Sequence, residues 1–206
     1  VSDGSGGIPG RVLMVGIPGP RLDAETRDAL ASLRPGGVII FRRNIESPAD
    51  LSGLVGDLAE VLSPPTLIAI DQEGGRVSRL EPWIGPTPTA ATLAADPGGA
   101  AFRLGRATAL GLRALGINLD FAPVVDLCEP DAANGIGDRS FGTDAAVASR
   151  HAGSFLDGLQ KSGVAGCLKH FPGLGDTTVD SHEVLPTVRR DRHQLENQDF
   201  RPYRLL

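Results

Sequence analysis

Short runs of aliphatic and β-branched residues alternate along this chain with segments whose apolar positions recur every three or four residues. The runs are RVLMVGI (11–17), GGVIIF (36–41), TLIAID (66–71), INLDFAPVVD (117–126) and GVAGCLKHF (163–171). Their shortness and near-continuous apolarity predict strands buried on both faces, as in a parallel sheet covered by helices. Residues 23–33, 47–62, 100–116 and 143–163 carry helical spacing instead, as Leu51, Leu54, Leu58 and Val61 show. Asp23, Ser47 and Thr143 stand where N-caps belong, and Gly116 and Gly163 where helices stop. Residues 1–10, VSDGSGGIPG, have no periodicity and are expected to be a flexible lead-in. Residues 11–206 then form one domain.

Strand and helix in strict alternation mean an α/β fold, either a doubly wound sheet or a (β/α)8 TIM barrel. No GxGxxG follows the first run, where MVGIPGPRLD reads as a loop, and this weakens a dinucleotide-binding sheet. Polar residues cluster where the apolar runs end: Arg42, Arg43 and Asn44; Asp71, Gln72 and Glu73; Asp126; Lys169 and His170. In a (β/α)8 barrel these C-terminal strand ends converge on one mouth, where catalysis takes place. Five strands are legible, with the start of a sixth module after EVLPTVRRD. A complete barrel runs to roughly 250 residues. The expected fold is therefore a (β/α)8 barrel, incomplete at the C-terminus, with five to six strands present.

Composition narrows the partners more than the fold. The chain has 206 residues, 41% hydrophobic and 22% charged, in the ordinary range for a globular protein with its own core. A net charge of −5, with no basic block, argues against nucleic acid or an anionic membrane as the partner. No apolar run reaches the ~18 residues of a membrane-span candidate. The first residue is Val1 rather than Met, which leaves an upstream export signal open. Cys128 and Cys167 lie in or beside apolar runs without CxxC spacing and read as buried free thiols.

Three motifs carry chemistry. AIDQEGGRVSRL (69–80) sets two carboxylates and two arginines around a Gly-Gly pair straight after a strand. Asp71 can accept hydrogen bonds from a polyhydroxylated ligand, and Arg76 or Arg79 can grip an acidic or amide group; a salt-bridged surface turn explains the motif as well. NGIGDRSFGTD (134–144) reads as a shaped loop presenting Arg139 and anchored by Phe141. KHFPGLGDTTVDSHEV (169–184) places Lys169 and His170 at a strand end, one to enter the mouth and one to brace it. A Pro/Gly turn then leads to Asp180 and His182. A carboxylate beside an imidazole stabilises the imidazolium and fixes its tautomer, which is how a general acid–base is positioned. Neither H-x-x-x-H nor H-x-H occurs, so no metal is expected; GxSxG and GxxxxGK[ST] are absent as well.

Taken together, IDQEGGRVSRL, FAPVVDL, GDRSFG and KHFPGLGDTTVDSH resemble the β-N-acetylhexosaminidase branch of the family-3 glycoside hydrolases, in its bacterial cell-wall-recycling form. The resemblance runs from about residue 11 onward. It implies a (β/α)8-like barrel, no cofactor, and exo-removal of terminal non-reducing β-N-acetylglucosamine with retention of configuration. The implied substrate is a carbohydrate, a muropeptide or a chitooligosaccharide-like chain, and the implied compartment is the cytoplasm. Asp71, Arg79, Arg139, Lys169 and His170 match the family's substrate-binding positions. His182 matches its acid–base, carried on a mobile loop, and Asp180 the carboxylate paired with it. Two departures stand out. Leu174 replaces a histidine in the family's PGHG turn, and the family's nucleophile, an aspartate in a later SDD-like motif, has no counterpart in these residues. The 206-residue chain is thus expected to be inactive alone and to self-associate through exposed barrel edges. Phosphorolysis, with phosphate in place of water, and a non-catalytic sugar-binding role stay open as alternatives.

Overall fold

The computed structural model describes residues 8–62, 66–96 and 99–206. Residues 1–7 of the expected lead-in lie outside them, while Ile8–Arg11 form one helical turn, α1. β1 (Met14–Gly16), α2 (Ala24–Leu33), β2 (Gly37–Ile40), α3 (Pro48–Val61) and β3 (Leu67–Ile70) follow in alternation. A small antiparallel hairpin, β4 (Gln72–Gly74) and β5 (Val77–Ser78), springs from the end of β3. Beyond it come α4 (Glu81–Ile84), α5 (Ala90–Ala94), α6 (Ala100–Ala114) and β6 (Leu119–Asp120). The last elements are α7 (Ala145–Lys161), β7 (Ala165–Gly166), α8 (Arg192–Asn197) and α9 (Arg201–Leu205).

Five strands pair in parallel in the order β1-β2-β3-β6-β7. Among the described strands the order never doubles back, so they show no switch point of the kind a doubly wound sheet requires. Each strand lies beside its predecessor in the sheet, which is the winding of a (β/α)8-type barrel. The described strands form a partial barrel of this type. Ile40, Ile70 and Asp120 stand level across three strands, so the residues that follow them emerge at one end.

Caps explain where the helices start and stop. Asp23 accepts from the Thr26 amide at 2.7 Å, and Ser47 from the Asp50 amide at 3.1 Å. The cap of α7 is Asp144 rather than Thr143: its Oδ1 takes both the Ala146 and Val147 amides at 2.8 Å, which a hydroxyl one position earlier does not do. Gly116 (φ +79°) and Gly163 (φ +86°) turn the chain left-handed just past α6 and α7. At the α6–α7 crossing the two backbones touch. A Cβ on Gly105 would lie 2.2 Å from the Phe155 carbonyl oxygen, and one on Gly158 2.4 Å from that of Phe102.

The regular ladder is shorter than the sequence pattern predicts. In 117–126 only Leu119–Asp120 is laddered, with an isolated bridge from Val124 to Lys169. Pro123 has no amide to donate, so the ladder breaks there and resumes beyond it. The segment stays tied to its neighbour through Val125 N–H to Lys169 O, 2.8 Å, and Cys167 N–H to Asp120 O, 3.0 Å. No described helix is long and apolar enough to cross a membrane.

Candidate active site

The exits of β3, β6 and β7 deliver charges that meet. Lys169 Nζ lies 2.6 Å from both Asp71 Oδ1 and Glu73 Oε1. Glu73 receives Arg139 through two parallel bonds, Nε and Nη2 each at 2.8 Å, a bidentate fork. Arg139 Nη2 also lies 3.3 Å from His170 Nε2, and His170 Nδ1 lies 2.6 Å from Asp126 Oδ2. A guanidinium can only donate, so His170 Nε2 is the acceptor and its Nδ1–H is given to Asp126. The result is one continuous polar chain across the mouth: Asp71, Lys169, Glu73, Arg139, His170, Asp126. Arg79 joins more loosely, with Nη2 at 3.9 Å from Asp71 Oδ2. Its Nε is buried and has no partner.

The inner members of this chain are nearly dry; the Glu73 and Arg139 side chains are 7% and 9% exposed. Burial alone would push the Glu73 carboxyl up, but the Arg139 fork and Lys169 outweigh it and hold it below its ordinary value. Burial likewise pulls Arg139 down, and its bonds to Glu73 more than restore it. Both therefore stay charged.

Asp120 behaves in the opposite way. It is fully buried beneath the cluster, Oδ1 accepts the Gln72 amide at 2.9 Å, and Oδ2 has no partner. Burial pushes its carboxyl well above the usual range. Unfolded, this group would ionise at about pH 4; folded, burial makes it hold its proton to higher pH. Folding therefore takes up a proton, and stability falls as pH rises above that value. Asp120→Asn has no proton to take up. Its thermal midpoint relative to wild type should rise as pH is raised above about 4; a difference independent of pH in thermal unfolding would contradict the assignment.

Local structure explains how these side chains are aimed. Gly74 (φ +103°) and Gly75 (φ +52°) turn the β4–β5 hairpin tightly, and a Cβ on Gly74 would meet the Pro88 carbonyl oxygen at 2.6 Å. Gln72 fastens the hairpin by giving Nε2–H to Ser78 Oγ and accepting the Leu80 amide. Arg76 points away from the cluster and staples the hairpin to Asp138 and to the carbonyls of Gly135 and Ile136. Arg139 ends a 3₁₀ turn, Gly137–Arg139, held by buried Phe141 and by Ser140, whose Oγ donates to Asp126 O at 2.6 Å.

Asp180 and His182 stand one layer farther out. Asp180 Oδ1 lies 2.7 Å from His182 Nδ1 and also accepts the His182 amide at 2.9 Å. These two bonds, backbone first, hold the Asp180 carboxyl below its usual range. The imidazole is 80% exposed, leaving Nε2 to the solvent side. The pair approaches the inner chain at Gly135: a Cβ there would lie 2.7 Å from Asp180 Cγ, and the Gly135 carbonyl accepts Arg139 Nη1–H at 3.0 Å.

Asp71, Arg79, Arg139, Lys169 and His170 are thus brought together, and Asp180–His182 sits at their rim. Lys169 and His170 were expected to face opposite ways; instead both turn into the cluster. The peptide joining them is cis. Glu73 and Asp126 belong to the cluster as well; the sequence marks both as polar residues just beyond or at the end of apolar runs, but no binding role was expected of either. Leu174, in place of the turn histidine, packs with Val124, Cys128 and Ile136, and its amide donates to Asp126 Oδ1 at 2.7 Å. Cys128 and Cys167 are both free thiols, Cys128 buried and Cys167 partly so.

A family profile described as "Glycosyl hydrolase family 3 N terminal domain" matches residues 10–206. The Beta-hexosaminidase of Alkalilimnicola ehrlichii is 40% identical over 201 residues, covering 94% of this chain and 58% of that protein. The Beta-hexosaminidase of Neisseria meningitidis serogroup C is 39% identical over 209 residues, 97% of this chain and 57% of that protein. Among solved structures, native NagZ from Neisseria gonorrhoeae superposes with a TM-score of 0.86 at 36% identity, covering 95% of this chain and 59% of that one. A family 3 beta-N-acetylglucosaminidase from Paenibacillus sp. str. FPU-7 gives 0.85 at 38% identity, covering 95% of this chain and 38% of that one. The chain belongs to glycosyl hydrolase family 3. It spans 58% and 57% of the length of the two curated relatives above.

Proposed function

We propose that this chain supplies the sugar-binding and acid–base half of a retaining exo-β-N-acetylglucosaminidase acting on peptidoglycan fragments. The observation that carries the reading is the Asp180–His182 pair, 2.7 Å apart, standing with its imidazole exposed beside a chain of buried charges. In this reading Asp71, Arg79, Arg139, Lys169 and His170 hold the hydroxyls and N-acetyl group of the terminal sugar. His182, as an imidazolium whose Nδ1–H is held by Asp180, gives its Nε2 proton to the leaving glycosidic oxygen and, left neutral, later takes a proton from the attacking water at the same nitrogen. The names of the relatives, Beta-hexosaminidase, support the substrate class.

Retention through a glycosyl-enzyme needs a carboxylate nucleophile beside the His182 acid–base. The carboxylates of the mouth are already committed: Asp71 and Glu73 to Lys169, Asp126 to His170, while Asp120 is fully buried with Oδ1 taken by the Gln72 amide. We therefore assign the nucleophile to none of them and expect the 206-residue chain to bind sugar without turnover. Calorimetry with N-acetylglucosamine tests the first half, with binding expected in the wild type and lost in Arg139→Met. Release of p-nitrophenol from the β-N-acetylglucosaminide tests the second. Absence of binding would overturn the sugar site, and sustained release by the pure chain would overturn the division of labour.

A further inference from the structure

The segment that carries His182 is pinned at two points by one side chain. Arg190 Nη1 bonds both oxygens of Asp199, whose side chain is 1% exposed, and Arg190 Nε lies 3.5 Å from Asp176 Oδ1. Asp176 opens the loop and Arg190 ends it. Between them Ser181, His182, Glu183, Val184 and Leu185 are all exposed. The lower arm is seated by further contacts. Thr177 gives its amide and its hydroxyl to the Leu174 carbonyl at 3.1 and 2.7 Å. A Cβ on Gly173 would lie 2.8 Å from Asp199 Cβ, so the turn rests on the same aspartate. Phe171 stacks on Phe200 at 5.5 Å and meets Tyr203 edge-on at 5.4 Å.

We propose that Arg190 is a positioning residue that closes the neck of the 177–189 loop, tying Asp176 to Asp199, and so fixes where the Asp180–His182 pair stands at the rim of the site. A loop joined only at its ends to the barrel would sample many placements of an exposed imidazole. Strapping residue 176 to residue 190 shortens the freely moving arc to the residues between them. Closure by a planar guanidinium, with separate edges for the two carboxylates, demands arginine rather than lysine. The catalytic meaning of this device rests on the reading of His182 as the acid–base; the strap itself does not.

Two measurements on the 206-residue chain test it, neither requiring turnover: amide hydrogen exchange along the chain, and the nitrogen-15 imidazole spectrum of His182. Asp176→Asn cuts the strap while leaving the buried Arg190–Asp199 pair intact; Arg190→Met removes both. In each, exchange in 177–189 should accelerate by about tenfold or more, with β2, β3 and α7 unchanged. The spectrum should pass from a single Nδ1–H tautomer to a mixture. If Arg190→Met does not fold, Asp176→Asn decides alone. Wild-type exchange and tautomer in Asp176→Asn would reduce Arg190 to an anchor of α8 and α9 and overturn the proposal, as would acceleration spread equally over the whole chain. Failure of the acid–base reading would show elsewhere, as undiminished turnover in a His182→Ala enzyme.

Discussion

Glu73→Ala should destabilise the chain by about 3–5 kcal/mol, the cost of breaking a buried ion pair by removing one partner. Two cations share this carboxylate: Arg139 through a fork of two 2.8 Å bonds and Lys169 at 2.6 Å. Both are largely out of water, so neither can recover its hydration when the counter-charge goes. Out of a total stability of order 5–15 kcal/mol, the loss would be visible in the first urea titration. The exposed pair Arg21–Glu46, at 3.7 Å, provides the contrast: Glu46→Ala should change stability by no more than about 1 kcal/mol. If Glu73→Ala cost as little as that, Arg139 must find a new partner in the mouth, and the order of the polar chain given above would be wrong.

The second large effect is kinetic. In a catalytically complete enzyme carrying this domain, His182→Ala should lower kcat by about a hundred- to ten-thousand-fold, the usual worth of a positioned general acid–base. The defect should shrink for an aglycone that leaves readily as an anion, because such a group needs no proton. Asp180→Asn keeps an acceptor for the imidazole but withdraws the charge, so its loss should be intermediate. Sugar affinity measured on the 206-residue chain should survive both changes, since neither side chain belongs to the inner cluster. A His182→Ala enzyme with normal kcat on a poor leaving group would remove the histidine from the mechanism.

Much of this arrangement was legible before any coordinates. Parallel strands buried on both faces write themselves as unbroken apolar runs, and the charges that punctuate them mark the mouth. Asp180 and His182 were readable because the contact is local, spanning one intervening residue. Glu73 and Asp126 were visible as strand ends but not as partners. Glu73 meets Arg139 across 66 positions of sequence and His170 meets Asp126 across 44, distances that only the curvature of the sheet resolves. The cap of α7 was missed by one residue because Thr143 and Asp144 are both competent, and only geometry chooses between them. Asp120 was not singled out in the sequence. Its burial, and the Gln72 amide it receives across 48 positions, are set by tertiary packing that no local pattern encodes.

One carboxylate links two parts of the molecule that the sequence keeps far apart. Asp126 accepts the His170 amide at 3.1 Å, lies 2.6 Å from the His170 ring, and accepts the Leu174 amide at 2.7 Å. The shape of the KHFPGL turn is thus held from outside the turn. An exchange of residues 169–182 between barrels, or their grafting onto a designed scaffold, would transfer the letters without the template that bends them. Such a chimera must bring residue 126 along, on a strand in the same register, or its histidines will arrive in the wrong place.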